Sequence, residues 1–165
     1  MDCTVDNLGV MNIGKSLYYW IINYLPINST ILELGSGLGT ELLSKTFQMI
    51  SIEHDKKFIN KYNSKYIHAP IKEVRKGLKW YNPNIIENYT KNLEYDLILV
   101  DGPQNSRYTR RGFLYFLDLF NPEVPFIFDD AQTPNVRLLA EQVSEILEKS
   151  IQFKQDGKKY FAILS

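Results

Sequence analysis

One stretch constrains this chain more than any other: Glu33-Leu34-Gly35-Ser36-Gly37-Leu38-Gly39-Thr40. It follows the apolar run Ile31–Leu34, which suits a short buried strand, and leads into a helix-like segment over 40–48. Glycines allow a sharp turn and let a ligand come close to the backbone. The helix that follows offers unsatisfied N–H groups at its start. The spacing is Gly-x-Gly-x-Gly, whereas a dinucleotide fingerprint needs Gly-x-Gly-x-x-Gly. On this loop alone, a purely structural turn and a nucleotide-type binding loop both stay open.

The rest of the chain alternates short apolar runs with helix-like stretches, a βαβα rhythm that predicts a parallel sheet. A helix is expected over Gly14–Leu25, where Leu17, Trp20, Ile21, Tyr24 and Leu25 recur at helical spacing before Pro26. Strands are expected at Met49–Glu53, Tyr66–Ala69, Tyr95–Asp101 and Pro125–Asp129, with a helix between the first two at Asp55–Asn63. The run YDLILVD is apolar without alternation, as a strand covered on both faces should be. Residues 72–94 read as one or two helical pieces interrupted at Pro83, and a helix is expected over Gly112–Phe120. Pro134–Lys149 is the best amphipathic helix, with Val136, Leu139, Ala140, Val143, Ile146 and Leu147 on one face, Thr133 placed to cap it and Pro134 at its first position. Asp156-Gly157 between Ile151–Gln155 and Lys158–Leu164 signals a closing antiparallel hairpin.

Composition sets the outer limits. A chain of 165 residues forms one domain with one sizeable core. Nineteen basic and nineteen acidic side chains cancel, so a general electrostatic grip on nucleic acid or anionic lipid is not expected. No apolar run approaches the ~20 residues of a membrane span. The start, Met1-Asp2-Cys3-Thr4, lacks a signal peptide's basic and apolar regions. Cys3 is the single cysteine, which excludes an intrachain disulfide and a cysteine-based zinc cluster. The expected address is a reducing cytoplasm. In that setting the acceptor-type tripeptides at Asn28 and Asn88 are chance matches.

Glu53 shifts the balance at the glycine loop. It ends the second expected strand, where a carboxylate can accept hydrogen bonds from both hydroxyls of a ribose. With that acid in place, the chain resembles the class I S-adenosylmethionine-dependent methyltransferases. ELGSGLGT looks like their first motif and SIEHD like their acidic second-strand motif. YDLILVDGP, FIFDDA and the closing hairpin extend the resemblance over almost the whole chain. It implies an α/β fold, a Rossmann-like doubly wound and mainly parallel sheet with a C-terminal antiparallel hairpin. It also implies roles: Gly35, Ser36, Gly37 and Gly39 under the methionine part of the cofactor, Glu33 ordering the loop and the cofactor's amino group, Glu53 on the ribose, and His54 and Ala69 at the adenine. His54 and His68 are equally readable as ordinary strand-end polar residues.

Asp101 closes the fourth expected strand, and Asp129 and Asp130 close the fifth. Carboxylates converging at such strand ends repel one another unless a cation or protons offset the charge. The trio is similar to that of cation-dependent, catechol-type O-methyltransferases, in which these positions hold Mg²⁺. That resemblance implies Asp101, Asp129 and Asp130 as metal ligands, with a metal lowering the pKa of an acceptor hydroxyl. The metal-free alternative makes Asp101 a general base that also touches the cofactor. The family's frequent Lys after the first Asp is replaced by Gln104.

Asp101-Gly102-Pro103-Gln104 differs from the Asn/Asp-Pro-Pro-aromatic motif of enzymes that methylate nucleic-acid amino groups. Arg107, Arg110 and Arg111 follow, and guanidinium forks suit carboxylates and phosphates. The expectation is an O-methyltransferase acting on a small molecule or sugar, with an acidic or phosphorylated acceptor held by these arginines; a solvated basic loop or a structural salt bridge is an equal reading of them. Little chain is left for a substrate cap beyond residues 1–25 and 72–94. There Tyr18, Tyr19, Trp80 and Tyr81 could line a pocket, cover the core or face a second copy in a homodimer, whereas Trp20 reads as core. The rivals are an NAD-dependent oxidoreductase, which the glycine spacing and the hairpin oppose, and a non-catalytic subunit that keeps the cofactor site.

Overall fold

The structure is a computed structural model, and it describes residues 13–103 and 109–165, apart from the side chain of Asp156. The elements in chain order are α1 (Lys15–Tyr24), β1 (Thr30–Leu34), α2 (Leu38–Leu43), β2 (Gln48–Glu53), β3 (Lys65–His68), β4 (Ile71–Arg75), β5 (Leu78–Tyr81), α3 (Pro83–Thr90), β6 (Leu97–Val100), α4 (Gly112–Tyr115), β7 (Phe126–Phe128), α5 (Pro134–Ile146), β8 (Ile151–Asp156) and β9 (Lys159–Leu164). Seven strands form one sheet in the order β3-β2-β1-β6-β7-β9-β8. The first five of these run parallel, and β9 pairs antiparallel with both β7 and β8. The expected doubly wound sheet with a closing hairpin is thus present.

Both faces of the sheet are covered, which is why β6 and β7 are apolar throughout and every residue of β1 beyond Thr30 is buried. On one face α1 and α2 bring Leu17, Ile21, Leu42 and Leu43 against Ile31, Leu97, Leu99 and Ile127. On the other, Trp80, Ile86, Phe113, Leu139 and Val143 pack on Leu32, Ile98, Val100 and Phe128. Trp20 is half-buried against the first cluster and stacks on Tyr24.

Five local expectations need correction. The segment 55–63 forms turns, not a helix. There Asp55 Oδ1 accepts the Lys57 N–H, and Asn60 takes a left-handed φ of 60°, so short polar side chains outcompete the helical ladder. The helix after the glycine loop stops at Leu43, where Ser44 Oγ donates back to the Glu41 carbonyl. Gly112–Phe120 divides into α4 and a 3₁₀ turn at Leu117–Leu119, because Phe116 leaves helical geometry with φ −131°. Ile146 belongs to no buried face of α5, being 59% exposed, and Thr133 begins that helix without a side-chain cap.

Residues 72–94 depart most from expectation. They contribute an antiparallel hairpin, β4 with β5, and then α3 with Pro83 in its first turn. The hairpin's inner end is core and not a lid: Trp80 and Tyr81 are fully buried, while Tyr19 of α1 stays half exposed. Trp80 stacks on Phe116 and lies so close to Gly112 that an added Cβ there would collide with its ring.

Candidate active site

The strand order reverses between β1 and β6, and in open α/β sheets ligands bind outside the carboxyl ends of the strands at such a point. The glycine loop leaves β1 there. Gly35 turns with φ +89°, and the Gly37 N–H donates to Thr40 Oγ1 at 2.9 Å. Thr40 Oγ1 in turn donates to Glu33 Oε1 at 2.6 Å, and Ser51 Oγ donates to the same oxygen. Burial pushes the Glu33 carboxyl up to about 8, against the pull of those two hydrogen bonds and with the charges of Asp101 and Glu53 adding to the rise. Glu33 therefore orders the loop as a neutral acid.

Glu53 is buried at the end of β2 and reaches across to the same loop. Its Oε2 accepts from Ser36 N–H at 2.9 Å and Ser36 Oγ at 3.1 Å. Its Oε1 accepts from the N–H groups of His54 and Asp55 at 2.7 and 2.8 Å, with His54 Nδ1 at 3.0 Å. Burial alone would raise this carboxyl, but the His54 and backbone hydrogen bonds outweigh it and hold the pKa low. A cleft of about 630 Å³ opens beside it, walled by His54, Asp55, Lys56, His68 and Pro70. Ala69 is wholly buried beneath it, so its neighbour Pro70 provides the wall that sequence reasoning gave to Ala69.

Three carboxylates meet beyond β6 and β7, as expected: one oxygen each from Asp101, Asp129 and Asp130 lies within 4.8 Å of the others. Two cations are interleaved with them. Arg110 Nη2 donates to Asp101 Oδ1 at 3.0 Å and to Asp130 Oδ2 at 2.9 Å. Arg110 Nη1 donates to the carbonyls of Asp129 and Val100. Lys159 Nζ lies 2.8 Å from Asp129 Oδ2 and 2.9 Å from Asp130 Oδ1. Burial pushes Asp101 up to about 7; Arg110 opposes this, and Asp129 and Asp130 reinforce it. Burial also raises Asp129 despite Lys159. At Asp130 burial is outweighed by Lys159 and Arg110, and the pKa falls.

Arg110 corrects an expectation. It is 4% exposed and bonded to four acceptors, so it braces the aspartates and does not face an acceptor molecule. Arg111 is exposed at the start of α4, and Arg107 and Gln104 lie outside the described residues. Sequence reasoning missed Lys159. The signal was topological: a strand antiparallel to β7 begins where β7 ends, which puts its first residue beside Asp129. Of the readings open for Tyr81, the structure takes the core one: it is buried, and its Oη has no hydrogen-bond partner among the described residues. The Tyr81 ring lies 5.9 Å from that of His54, and a Cβ added to Gly102 would be 2.5 Å from Oη.

This sheet order with its antiparallel closing hairpin defines the class I methyltransferase fold. No family model and no curated protein matches the chain. Among solved structures it is similar to MycE, a methyltransferase of the mycinamycin biosynthetic pathway in complex with Mg, S-adenosylhomocysteine and mycinamycin VI, with 14% identity and a TM-score of 0.59 over 97% of this chain and 51% of that one. The chain thus spans about half the length of MycE. A methyltransferase from Pyrococcus furiosus matches with 16% identity and a TM-score of 0.53, over 90% of this chain and 80% of that one. The S-adenosylhomocysteine-bound Podospora anserina methyltransferase PaMTH1 matches with 15% identity and a TM-score of 0.55, over 91% and 76%. Among the described residues, no helix is long and apolar enough to cross a membrane.

Proposed function

We propose that this protein is an S-adenosylmethionine-dependent methyltransferase acting on a hydroxyl group of a small molecule or sugar. The observation that carries the reading is the convergence of the glycine turn, Glu53 and Asp101 at the strand-order reversal between β1 and β6. The residues fit the cofactor. A Cβ on Gly37 would meet nothing within 4 Å, so the loop is open on that side, and Glu53 beside it carries an acceptor oxygen bonded to Ser36 of the same loop.

When bound, the cofactor supplies a methyl group on a sulfonium. The chain's own residues do the rest. Glu53 would hold the ribose through Oε2, the oxygen whose contact with Ser36 Oγ is the longest of that carboxylate. Asp101, titrating near neutrality, takes the proton from the acceptor hydroxyl as it attacks. Arg111 offers an exposed guanidinium to an acidic acceptor.

Isothermal titration with S-adenosylhomocysteine and with NAD tests the reading. Binding of the first and not the second is expected, and no binding of the first would end the proposal. Methyl transfer to a panel of hydroxylated acceptors then separates an enzyme from a non-catalytic subunit, which would bind the nucleoside and transfer nothing.

A further inference from the structure

We infer that Lys159 and Arg110 supply, from within the chain, the positive charge that the three aspartates require, so that no divalent cation binds among them. The inference deepens the proposed function and rests on it only for what the acceptor meets; the exclusion of metal stands on the geometry alone.

Asp101, Asp129 and Asp130 carry six carboxylate oxygens, and four are engaged. Arg110 holds Asp101 Oδ1 and Asp130 Oδ2, and Lys159 holds Asp129 Oδ2 and Asp130 Oδ1. The ammonium spans the neighbouring carboxylates where an ion bridging them would sit. A magnesium ion demands near-octahedral oxygen at ~2.1 Å, so it could enter only by displacing Lys159. Displacement would leave an ammonium beside a divalent ion in a partly buried site, where like charges repel strongly. Arg110 cannot make room either. Its other nitrogen is committed to the carbonyls of Val100 and Asp129, which would lose their donor.

The charge count agrees. Among the described residues, three ionised carboxylates against two cations leave a residual of about one negative charge. A further +2 would overcompensate. The donor set is therefore of the right type for a hard cation and already largely offset without one. The three aspartates were legible as a metal constellation because only their own charges were counted; the two basic residues come from a loop and from the last strand.

The test is a manganese titration followed by electron paramagnetic resonance, on the wild type, Lys159→Ala, and Lys159→Ala combined with Asp129→Asn. The wild type should show no saturable site up to about 1 mM, the weak end of carboxylate sites. Lys159→Ala should gain one site at least about tenfold tighter, and Asp129→Asn should remove it again. A wild-type site lost on Asp129→Asn would overturn the inference. So would a folded Lys159→Ala that still refuses the ion. Should that variant fail to fold, Lys159→Met keeps the aliphatic stem and takes its place, and the wild-type titration decides independently. S-adenosylhomocysteine titrated into the same wild-type protein in chelator reports on the proposed function separately. Absence of that binding ends the function and leaves the metal result intact; manganese uptake does the reverse.

Discussion

Glu33 illustrates how much one residue's surroundings dictate. Its folded pKa, about 8, lies above the ordinary 4.5, so the folded chain holds a proton that the unfolded chain has released between those values. Stability from this group is complete below pH 4.5 and is lost as pH rises towards about 8. Thermal melts should therefore show a melting temperature that falls across that window. Glu33→Gln, which keeps an acceptor for Thr40 and Ser51, should flatten the fall. The flattening is partial, because the raised Asp101 contributes in the same direction. Asp101 also sets an activity prediction: kcat/KM should climb about tenfold per pH unit and level off above about 7, since only the ionised form accepts a proton. Tyr81→Phe removes a buried hydroxyl without a partner among the described residues, so stability should hold or rise by up to about 1 kcal/mol in denaturant melts.

At the scale of elements, legibility followed the source of each signal. β1, β2, β6 and β7 were readable because parallel strands covered on both faces are dominated by apolar residues, without interruption in β6 and β7. Their acids at the carboxyl ends came with them: Glu33, Glu53, Asp101, Asp129 and Asp130 were all placed within a residue of where they stand. The β4–β5 hairpin was not readable, because Trp80 and Tyr81 fit a helix face as well as a strand and only their tertiary partners decide. Arg110 was misjudged for a related reason: an arginine in a loop is normally solvated, and its burial depends on aspartates from other elements. The contact of β5 with α4 is the sharpest test at this scale. Gly112→Ala should cost about 1–3 kcal/mol in denaturant melts, because the new methyl group overlaps the Trp80 ring, and Trp80→Leu should recover part of it in the double variant.

The described residues form one seven-stranded sheet with a packed layer on each face, the β4–β5 hairpin lying in one of those layers, and the two tryptophans report on opposite layers. Trp20 rides on α1, and Trp80 lies under α4. If both layers depend on the same strands, they unfold together. Single-tryptophan variants, Trp20→Phe and Trp80→Phe, should each show fluorescence and far-ultraviolet circular dichroism transitions with coincident midpoints. Separate midpoints in either variant would mean that one layer detaches first.

The order of synthesis adds a last consequence of where Lys159 sits. A ribosome makes the three aspartates first and the amine that balances them some thirty residues after Asp129. Until that amine emerges, β7 lacks its antiparallel neighbour and presents an open edge, and the Asp129 carboxylate lacks its ammonium while Asp130 already has Arg110 and Gln132. The nascent polypeptide therefore cannot complete this corner vectorially; it closes only when the final strand arrives, bringing pairing and charge balance in one event.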